Sequence, residues 1–297
     1  MPSRFFQRAA VAGGRVLSAV APGVAARVVK SVFITAPRIR PMRPEEQALF
    51  ARAERGTVAF RNYRIPTWSW GAPDAPRVLL SHGWGVAPAF FGPLIEKLVA
   101  QGWRVTTYLG PGHAEGDPRK TTGFTLVHAL RAVVDALGPF DALVGHSLGA
   151  GMLIMGSKIG IAAERLVLIS PVTDLVDHTD RFAAAMGMPV PVAERMRRLI
   201  YEEYNADFSP LGRYWNDLFE TRVEAPTLLV HDENDELMGV SQSEYIVQRW
   251  PNARLVRTQG LGHVKILRNP AVVAGIAQFL DGSPALQARS GVAAASA

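Results

Sequence analysis

The chain has 297 residues, of which 48% are hydrophobic and 20% are charged, and it contains no cysteine. This is the composition of a globular protein, so intrinsic disorder, collagen-like repeats and a coiled-coil rod are excluded. The lack of cysteine also excludes disulfide scaffolds, thiolate metal sites and cysteine nucleophiles. The length allows one large α/β domain or two small ones.

The positive charge is concentrated at the N terminus. Residues 1–64 contain 12 Lys or Arg and 3 Asp or Glu, whereas the rest of the chain contains 20 and 23. The body is therefore mildly acidic, and we expect no nucleic-acid partner. The first 43 residues carry eight basic residues and no acidic one, and such an arm attracts anionic surfaces. We expect a cytoplasmic protein, with association of the arm with a membrane surface as an alternative.

An apolar stretch from Val16 to Ala26 is broken by Pro22, and the apolar pattern resumes over residues 28–34. Each stretch is too short to span a membrane. We interpret the segment as an interrupted amphipathic helix that packs on the domain. The alternatives are a peripheral membrane contact and a cleaved signal peptide.

Beyond a proline-punctuated linker, short apolar runs alternate with helical patterns. A short helix is predicted at 45–53, followed by two short strands within 57–70. The later predicted strands cover 78–80, 103–109, 142–144, 166–169, 227–230 and 254–257, and the later predicted helices cover 90–100, 121–137, 148–158, 241–250 and 271–280. This alternation predicts an α/β fold with a mostly parallel, doubly wound sheet of about eight strands flanked by helices.

The stretch 171–221 interrupts this rhythm with amphipathic helices predicted at 192–204 and 211–219. An insertion of about fifty residues between strands predicts a helical lid. The predicted organisation is an N-terminal basic arm with helices at 1–56, a core at 57–170 and 222–284, a lid at 171–221 and a disordered tail at 285–297.

The strongest chemical signal is Gly145-His146-Ser147-Leu148-Gly149, which follows a predicted strand and precedes a predicted helix. This is the context of a G-x-S-x-G nucleophile elbow. The sharp turn places the serine in a strained conformation, and glycines two residues away on either side avoid collisions with neighbouring backbone. At a helix N terminus, the amide of Leu148 and the helix dipole point at a developing oxyanion.

A serine nucleophile needs a base. His263 lies in a glycine-rich loop after the strand predicted at 254–257 and before the last helix, so the loop is free to place an imidazole over the sheet edge. We predict His263 as the base. The remaining histidines are interpreted as loop braces (His82, His231), as part of a mobile loop (His113) and as surface residues (His128, His178), and His146, inside the elbow, is expected to point away from the serine.

The base needs an orienting carboxylate. We predict Asp235, because a few residues of loop after the strand at 227–230 let its side chain turn towards the histidine. Asp232 and Glu233 are nearer alternatives, and Asp174 is a more distant one.

A second oxyanion donor is expected from the loop Ser81-His82-Gly83-Trp84-Gly85, which follows the strand at 78–80. Gly83 lets the backbone turn close to a reacting carbonyl. We predict the Trp84 amide as the donor, with the Gly83 amide as the alternative. The Trp84 side chain is predicted to wall the acyl pocket, with core packing as the alternative.

Together these motifs resemble the α/β-hydrolase superfamily over about residues 57–281, and the chain order Ser147, Asp235, His263 is the order of that family. The resemblance implies a serine hydrolase that cleaves a carboxylic ester or thioester of a small or medium acyl chain through an acyl-enzyme intermediate, without a cofactor or metal. An acyltransferase or a cofactor-free perhydrolase or haloperoxidase with the same triad is the first alternative, and a non-catalytic ligand-binding relative is the second.

Apolar residues of the predicted lid are candidates for lining the substrate pocket, with ordinary helix packing as the alternative. We predict Met186, Tyr201 and Trp215 as pocket residues, together with Trp84. The natural substrate and the oligomeric state do not follow from the sequence.

Overall fold

The short apolar runs of the sequence form the strands of an eight-stranded sheet in the computed structural model, which describes residues 4–282, with side chains from residue 11 onward. The strand order is β1-β2-β4-β3-β5-β6-β7-β8. Strands β1, β2 and β4 pair antiparallel, and all other pairs are parallel. The strands are β1 Glu54–Phe60, β2 Tyr63–Trp70, β3 Arg77–Ser81, β4 Arg104–Tyr108, β5 Ala142–His146, β6 Arg165–Ile169, β7 Thr227–Asp232 and β8 Ala253–Thr258.

Helices cover both faces of this sheet, as the predicted alternation requires. The α-helices are α1 Arg4–Val20, α2 Pro22–Phe33, α3 Pro44–Ala51, α4 Gly92–Ala100, α5 Gly123–Leu137, α6 Leu148–Ser157, α7 Leu175–Ala185, α8 Val190–Phe208, α9 Ser241–Val247, α10 Gly262–Lys265 and α11 Pro270–Asp281. Short 3₁₀ helices lie at Pro88–Phe91, Trp215–Phe219 and Ile266–Arg268.

Successive side chains of a strand point to opposite faces of the sheet, and the central strands use both faces. In β3, Leu79 belongs to the apolar cluster that includes residues of α5, α6 and α8, whereas Val78 and Leu80 belong to the cluster that includes residues of α4 and α11. In β5, Leu143 belongs to the first of these clusters and Val144 to the second. Burial on both faces explains why these strands are continuous apolar runs. The predicted mostly parallel doubly wound sheet of about eight strands is confirmed.

The segment between β6 and β7 is helical, but its helices differ from the predicted ones. Helix α7 was not predicted from the sequence, because polar residues interrupt its short apolar face; it begins where the Asp174 side chain accepts a hydrogen bond from the amide of Asp177 (2.9 Å). The helix predicted at 211–219 is only a 3₁₀ turn at Trp215–Phe219. That this insertion acts as a lid stays a prediction.

The N-terminal arm forms two helices with a break at Ala21 and Pro22, as the interrupted pattern predicts. Helix α2 packs on α8 through Ala25, Ala26 and Val29, all of which are buried. Within the described part of the chain, no helix has the length and apolar character needed to cross a membrane. The tail predicted at 285–297 lies outside the described residues.

Candidate active site

Ser147 lies at the turn between β5 and α6 in a conformation that L-residues rarely adopt. Its φ of 54° and ψ of −121° are those of a strained turn, and such strain persists only where the surroundings fix it. The Ser147 amide donates to the carbonyl of Ile169 (2.9 Å), and the Ser147 carbonyl accepts from the amide of Gly151 (3.0 Å). The serine is therefore held between the next strand and the first turn of α6.

The glycines on either side of the serine are required by close backbone contacts. A Cβ atom on Gly145 would lie 2.5 Å from the Cα of Ala150. A Cβ atom on Gly149 would collide with the carbonyl oxygen of Ser81 in β3. Both collisions are with backbone, which cannot swing aside as a side chain can. The elbow pattern thus reflects how tightly α6 packs against the strand ends.

His263 and Asp235 meet at the carboxyl edge of the sheet. The Nδ1 atom of His263 donates to Oδ2 of Asp235 at 2.7 Å, and the amides of Leu237 and Met238 donate to Oδ1 at 2.9 Å each. Burial raises the pKa of the Asp235 carboxyl, but these hydrogen bonds outweigh it and hold the pKa at about 2. Asp235 is thus ionised and fixes the Nδ1–H tautomer of the imidazole.

The alternative carboxylates occupy different positions. Asp232 points at the loop that carries His263, where its two oxygens accept four hydrogen bonds. Burial raises the pKa of Asp232, but the hydrogen bonds from Gly262 and its neighbours lower it by more. Glu233 contacts Gln259 on the surface, and Asp174 begins α7. Asp232 therefore anchors the histidine loop rather than the imidazole, a role that its position in the sequence did not reveal.

The loop after β3 runs directly beside the serine. A Cβ atom on Gly83 would lie 2.9 Å from the Cβ of Ser147 and 3.1 Å from Nδ1 of His146. The predicted donors Trp84 and Leu148 line the same cavity as Ser147. A glycine is therefore required at position 83 for the loop to approach the serine this closely.

Two histidines brace this loop from the opposite side. Nε2 of His113 accepts from the amide of Gly85 (3.2 Å), and Nε2 of His82 accepts from the amide of Gly110 (3.0 Å). Burial lowers the pKa of both imidazoles, that of His82 to about 3, so both stay neutral. The His113 ring also meets the Trp84 ring edge-on at 5.2 Å. The His113 side chain is thus buried against Trp84, and mobility of the loop that carries it stays a prediction.

Of the other histidines, His231 braces the acid loop: it donates from Nε2 to the carbonyl of Met238 (2.8 Å) and bonds the Ser243 hydroxyl through Nδ1. His128 and His178, predicted as surface residues, are half-buried. His128 donates to the carbonyl of Asp207 (2.9 Å). The ring of His178 faces that of Phe33 at 6.1 Å, and burial lowers its pKa.

A cavity of about 420 Å³ opens on Ser147 and His263, within the range of small-molecule sites. Among the described side chains, its polar lining consists mainly of the two threonines 121 and 122, His178 and the two candidate catalytic side chains. The apolar lining comes from the loop after β3, the insertion, the N-terminal arm, α5, α6 and the loops that carry Asp235 and His263. The lining residues are Phe33, Ile34, Trp84, Val86, Thr121, Thr122, Gly123, Phe124, Ser147, Leu148, Val172, Leu175, His178, Phe182, Ile200, Trp215, Leu237, Met238, His263 and Val264.

Of the four predicted pocket residues, Trp84 and Trp215 line this cavity, whereas Met186 and Tyr201 do not. The Met186 carbonyl lies against Gly14 of α1, and the Tyr201 ring packs edge-on against Phe208 at 5.1 Å while remaining partly exposed. Helix periodicity identified apolar faces in the insertion but not what they contact. The contribution of α2 to the cavity was missed because no local pattern links residues 33–34 to position 147.

A model of the alpha/beta hydrolase family matches residues 78–276, more than half of the chain. The chain belongs to the alpha/beta hydrolase family. The matched range begins with β3, ends in α11 and includes Ser147, Asp235 and His263. The N-terminal helices and the β1–β2 pair lie outside it.

Individual relatives are distant. A pimeloyl-[acyl-carrier protein] methyl ester esterase of Aromatoleum aromaticum is 28% identical over 246 residues, which cover 66% of this chain and 94% of the relative. A non-heme chloroperoxidase of Burkholderia pyrrocinia is 28% identical over 148 residues, which cover 47% of this chain and 52% of the relative. The solved structure of a Pyrococcus furiosus esterase has a TM-score of 0.63 at 18% identity and covers 84% of this chain and 98% of its own.

Proposed function

We propose that this protein is a serine hydrolase that cleaves a carboxylic ester or thioester through an acyl-enzyme intermediate. The observation that carries the proposal is the 2.7 Å hydrogen bond between His263 and Asp235 at a cavity that also contains Ser147. The identity of about 28% to an esterase agrees with it.

In the proposed reaction, the Ser147 hydroxyl attacks the carbonyl carbon of the ester. Nε2 of His263 takes the hydroxyl proton and returns it to the leaving alcohol or thiol. Water then attacks the acyl-enzyme, with His263 again taking a proton and returning it to Ser147. Asp235 holds the imidazole in the Nδ1–H tautomer and stabilises the imidazolium that forms in each step.

The oxyanion of each tetrahedral intermediate would be bound by backbone amides. Leu148 is the first residue of α6, so its amide has no partner within the helix and lies at the positive end of the helix dipole. The second donor is the amide of Trp84, with that of Gly83 as the alternative. Hydrogen bonds that His113 accepts from the Gly85 amide and His82 accepts from the Gly110 amide keep the loop in place before the substrate arrives.

The acyl group would occupy the apolar part of the cavity. Phe33, Phe124 and Phe182 contribute aromatic surface, and among the residues with described side chains no Lys, Arg, Asp or Glu lines the cavity. A charged acyl chain would be buried there without a partner, at a high free-energy cost. The substrate class is therefore an ester or thioester with an uncharged, small to medium acyl chain.

The test is covalent labelling with a fluorophosphonate, with the modified peptide identified by mass spectrometry. We expect the label on Ser147 and its loss in Ser147→Ala and His263→Ala. Ser170→Ala is a matched control, because Ser170 is a second buried serine with positive φ (44°), at the end of the neighbouring strand β6. The control is expected to keep the label and the turnover of a p-nitrophenyl ester.

Retention of most turnover by Ser147→Ala would refute the mechanism. The absence of labelling in a folded wild-type protein would favour a ligand-binding relative that has kept the hydrolase pocket. Labelling without turnover of any ester in a chain-length series would refute the substrate class but keep the activated serine.

A second candidate is transfer of the acyl group to an alcohol or to hydrogen peroxide, which would make the protein an acyltransferase or perhydrolase. It is favoured by the similarity to a chloroperoxidase over about half of each chain, and an apolar cavity disfavours water as the nucleophile. Product analysis with competing water, methanol and peroxide distinguishes the two functions. Free acid as the sole product would exclude acyl transfer.

A further inference from the structure

The N-terminal helices present an exposed line of valines on the side turned away from the protein. Val16 and Val20 of α1 and Val24, Val28 and Val32 of α2 recur every four residues and are 40% to 80% exposed. We call these five residues the valine stripe. Residues four apart lie on one side of a helix, so the stripe is a continuous surface within each helix. Solitary exposed valines are common on proteins, whereas an aligned series marks an interaction site.

The stripe is not the outer side of a loose arm, because the other side of both helices is fixed. Ala25, Ala26 and Val29 of α2 are completely buried against α8. In α1, a Cβ atom on Gly14 would collide with the carbonyl oxygen of Met186, so backbone meets backbone there. The valines are therefore held in place on a firm support, facing outward.

The charges that residues 11–43 place beside the stripe are basic. Arg15 and Arg27 are exposed, and the side chain of Arg195 from α8 approaches α2 at Gly23. Lys30 is paired with Glu203. The segment that contains both helices, residues 1–43, has no acidic residue. Anionic lipid headgroups complement such a surface, and amphipathic helices with basic polar residues and a shallow apolar side bind at the membrane interface.

A second copy of the chain is the other candidate for covering the stripe. In a twofold contact the same patch meets itself. The arginines beside the stripe would then face arginines, with no acidic residue of either segment to neutralise them, and such a contact is repulsive. We propose that the valine stripe is a docking surface for an anionic lipid membrane, on which α1 and α2 lie without spanning it.

The C-terminal end of α2 also lines the cavity. Phe33 and Ile34 line it, and Phe33 is the immediate neighbour of Val32 in the stripe. Docking would therefore bring one wall of the cavity next to the lipid. We therefore extend the proposal to the substrate: the esters that the site cleaves are themselves held in the membrane. This extension rests on the proposed function.

The experiment is co-sedimentation of the full chain with phosphatidylcholine vesicles that contain or lack phosphatidylglycerol. We expect binding to the anionic vesicles, weakened at high salt. The triple variant Val24→Ser, Val28→Ser, Val32→Ser should bind at least about tenfold more weakly, because apolar contacts that reach the acyl boundary are lost. Valine and serine have similar helix propensities, so α2 should keep its structure.

Two further variants make the result specific. Arg15→Gln with Arg27→Gln should reduce the salt dependence of binding. Val256→Ser replaces a comparably exposed valine on β8, far along the sheet from the N-terminal helices, and should bind as the wild type does. Circular dichroism and fluorophosphonate labelling check that each variant is folded.

Equal binding by the wild type and the triple variant would overturn the proposal, as would failure of the wild type to bind anionic vesicles. A dimer in light scattering that the triple variant abolishes would show that a second copy covers the stripe instead. Binding without faster turnover of a vesicle-borne ester than of a soluble one would remove only the extension to membrane-held substrates. Since sedimentation requires no catalysis, the docking surface stands or falls separately from the proposed hydrolase.

Discussion

Replacing Asp232 with asparagine would preserve the size of a buried side chain and remove its charge. The Asp232 carboxylate accepts hydrogen bonds from the amides of Asn234 and Gly262 (3.0 Å each) on Oδ1, and from the Thr258 hydroxyl (2.7 Å) and the Leu261 amide (3.0 Å) on Oδ2. Three of these donors belong to the segment that leads into His263. The variant therefore tests whether this carboxylate positions the base without touching it.

An asparagine can accept only on its oxygen side. With the amide oxygen at the Oδ1 position, its NH₂ group faces the Thr258 hydroxyl, which can rotate to accept, and the Leu261 amide, which cannot. One buried backbone N–H then loses its acceptor and the other bonds lose their charge, which destabilises the fold by about 3 kcal/mol. A displacement of His263 by about 1 Å would lower kcat by roughly 100-fold.

The assays are urea unfolding and ester hydrolysis, with kcat and KM determined separately. Glu233→Gln is the matched control, since the adjacent Glu233 is exposed and bonds only surface residues. If Asp232→Asn does not fold, Thr258→Val removes a single hydrogen bond and should reduce kcat in the same sense with a smaller loss of stability. An Asp232→Asn protein with lower stability but wild-type kcat would refute the positioning role.

Three further predictions concern the cavity and the acid. Gly83→Ala places a Cβ atom 2.9 Å from that of Ser147 and 3.2 Å from the carbonyl oxygen of His146, so the loop must move away; kcat should fall by about 100-fold or more and the melting temperature should fall as well, and a wild-type rate would contradict the loop's approach. Phe33→Ala enlarges the cavity and should shift kcat/KM towards longer acyl chains by about tenfold, whereas the exposed neighbour Val32→Ala should not. Asp235 has a pKa lowered from 3.8 to about 2, so its stabilisation is complete above pH 4 and is lost as the pH falls towards 2; in urea unfolding across this range, Asp235→Asn should lose less stability than the wild type.

The nucleophile elbow could be predicted because everything it requires is local. Gly145 and Gly149 flank Ser147 within five residues, and the apolar run before it and the helix after it are contiguous in sequence. The backbone collisions that the glycines avoid involve α6 and the adjoining strand end. The central sheet was predictable for the same reason, since buried parallel strands are short apolar runs whatever their neighbours are.

The insertion was less predictable, because its helices are stabilised by contacts with distant segments. The buried residues of helix α7 (Leu175, Thr179 and Ala183) are four residues apart, but only Leu175 is a large apolar side chain, so the helical pattern is inconspicuous in the sequence. In the same way, His178 is an unremarkable polar residue in sequence, but it lies in the cavity because Phe33 packs beside it.

The sequence by itself determined the fold class, the position of the serine turn and the chain order of the three candidate catalytic residues, since these depend on local glycine patterns and apolar runs. Only the tertiary structure showed how Asp232 and Asp235 divide their roles, since Asp232 ends β7 and Asp235 lies three residues further along the same loop. One carboxylate accepts from the imidazole and the other from the loop amides that carry it. That division of roles depends on how the loops after β7 and β8 pack together. The cavity wall that α2 contributes depends in turn on the packing of α2 against α8. Neither contact joins residues that are neighbours in sequence, so local patterns did not reveal them.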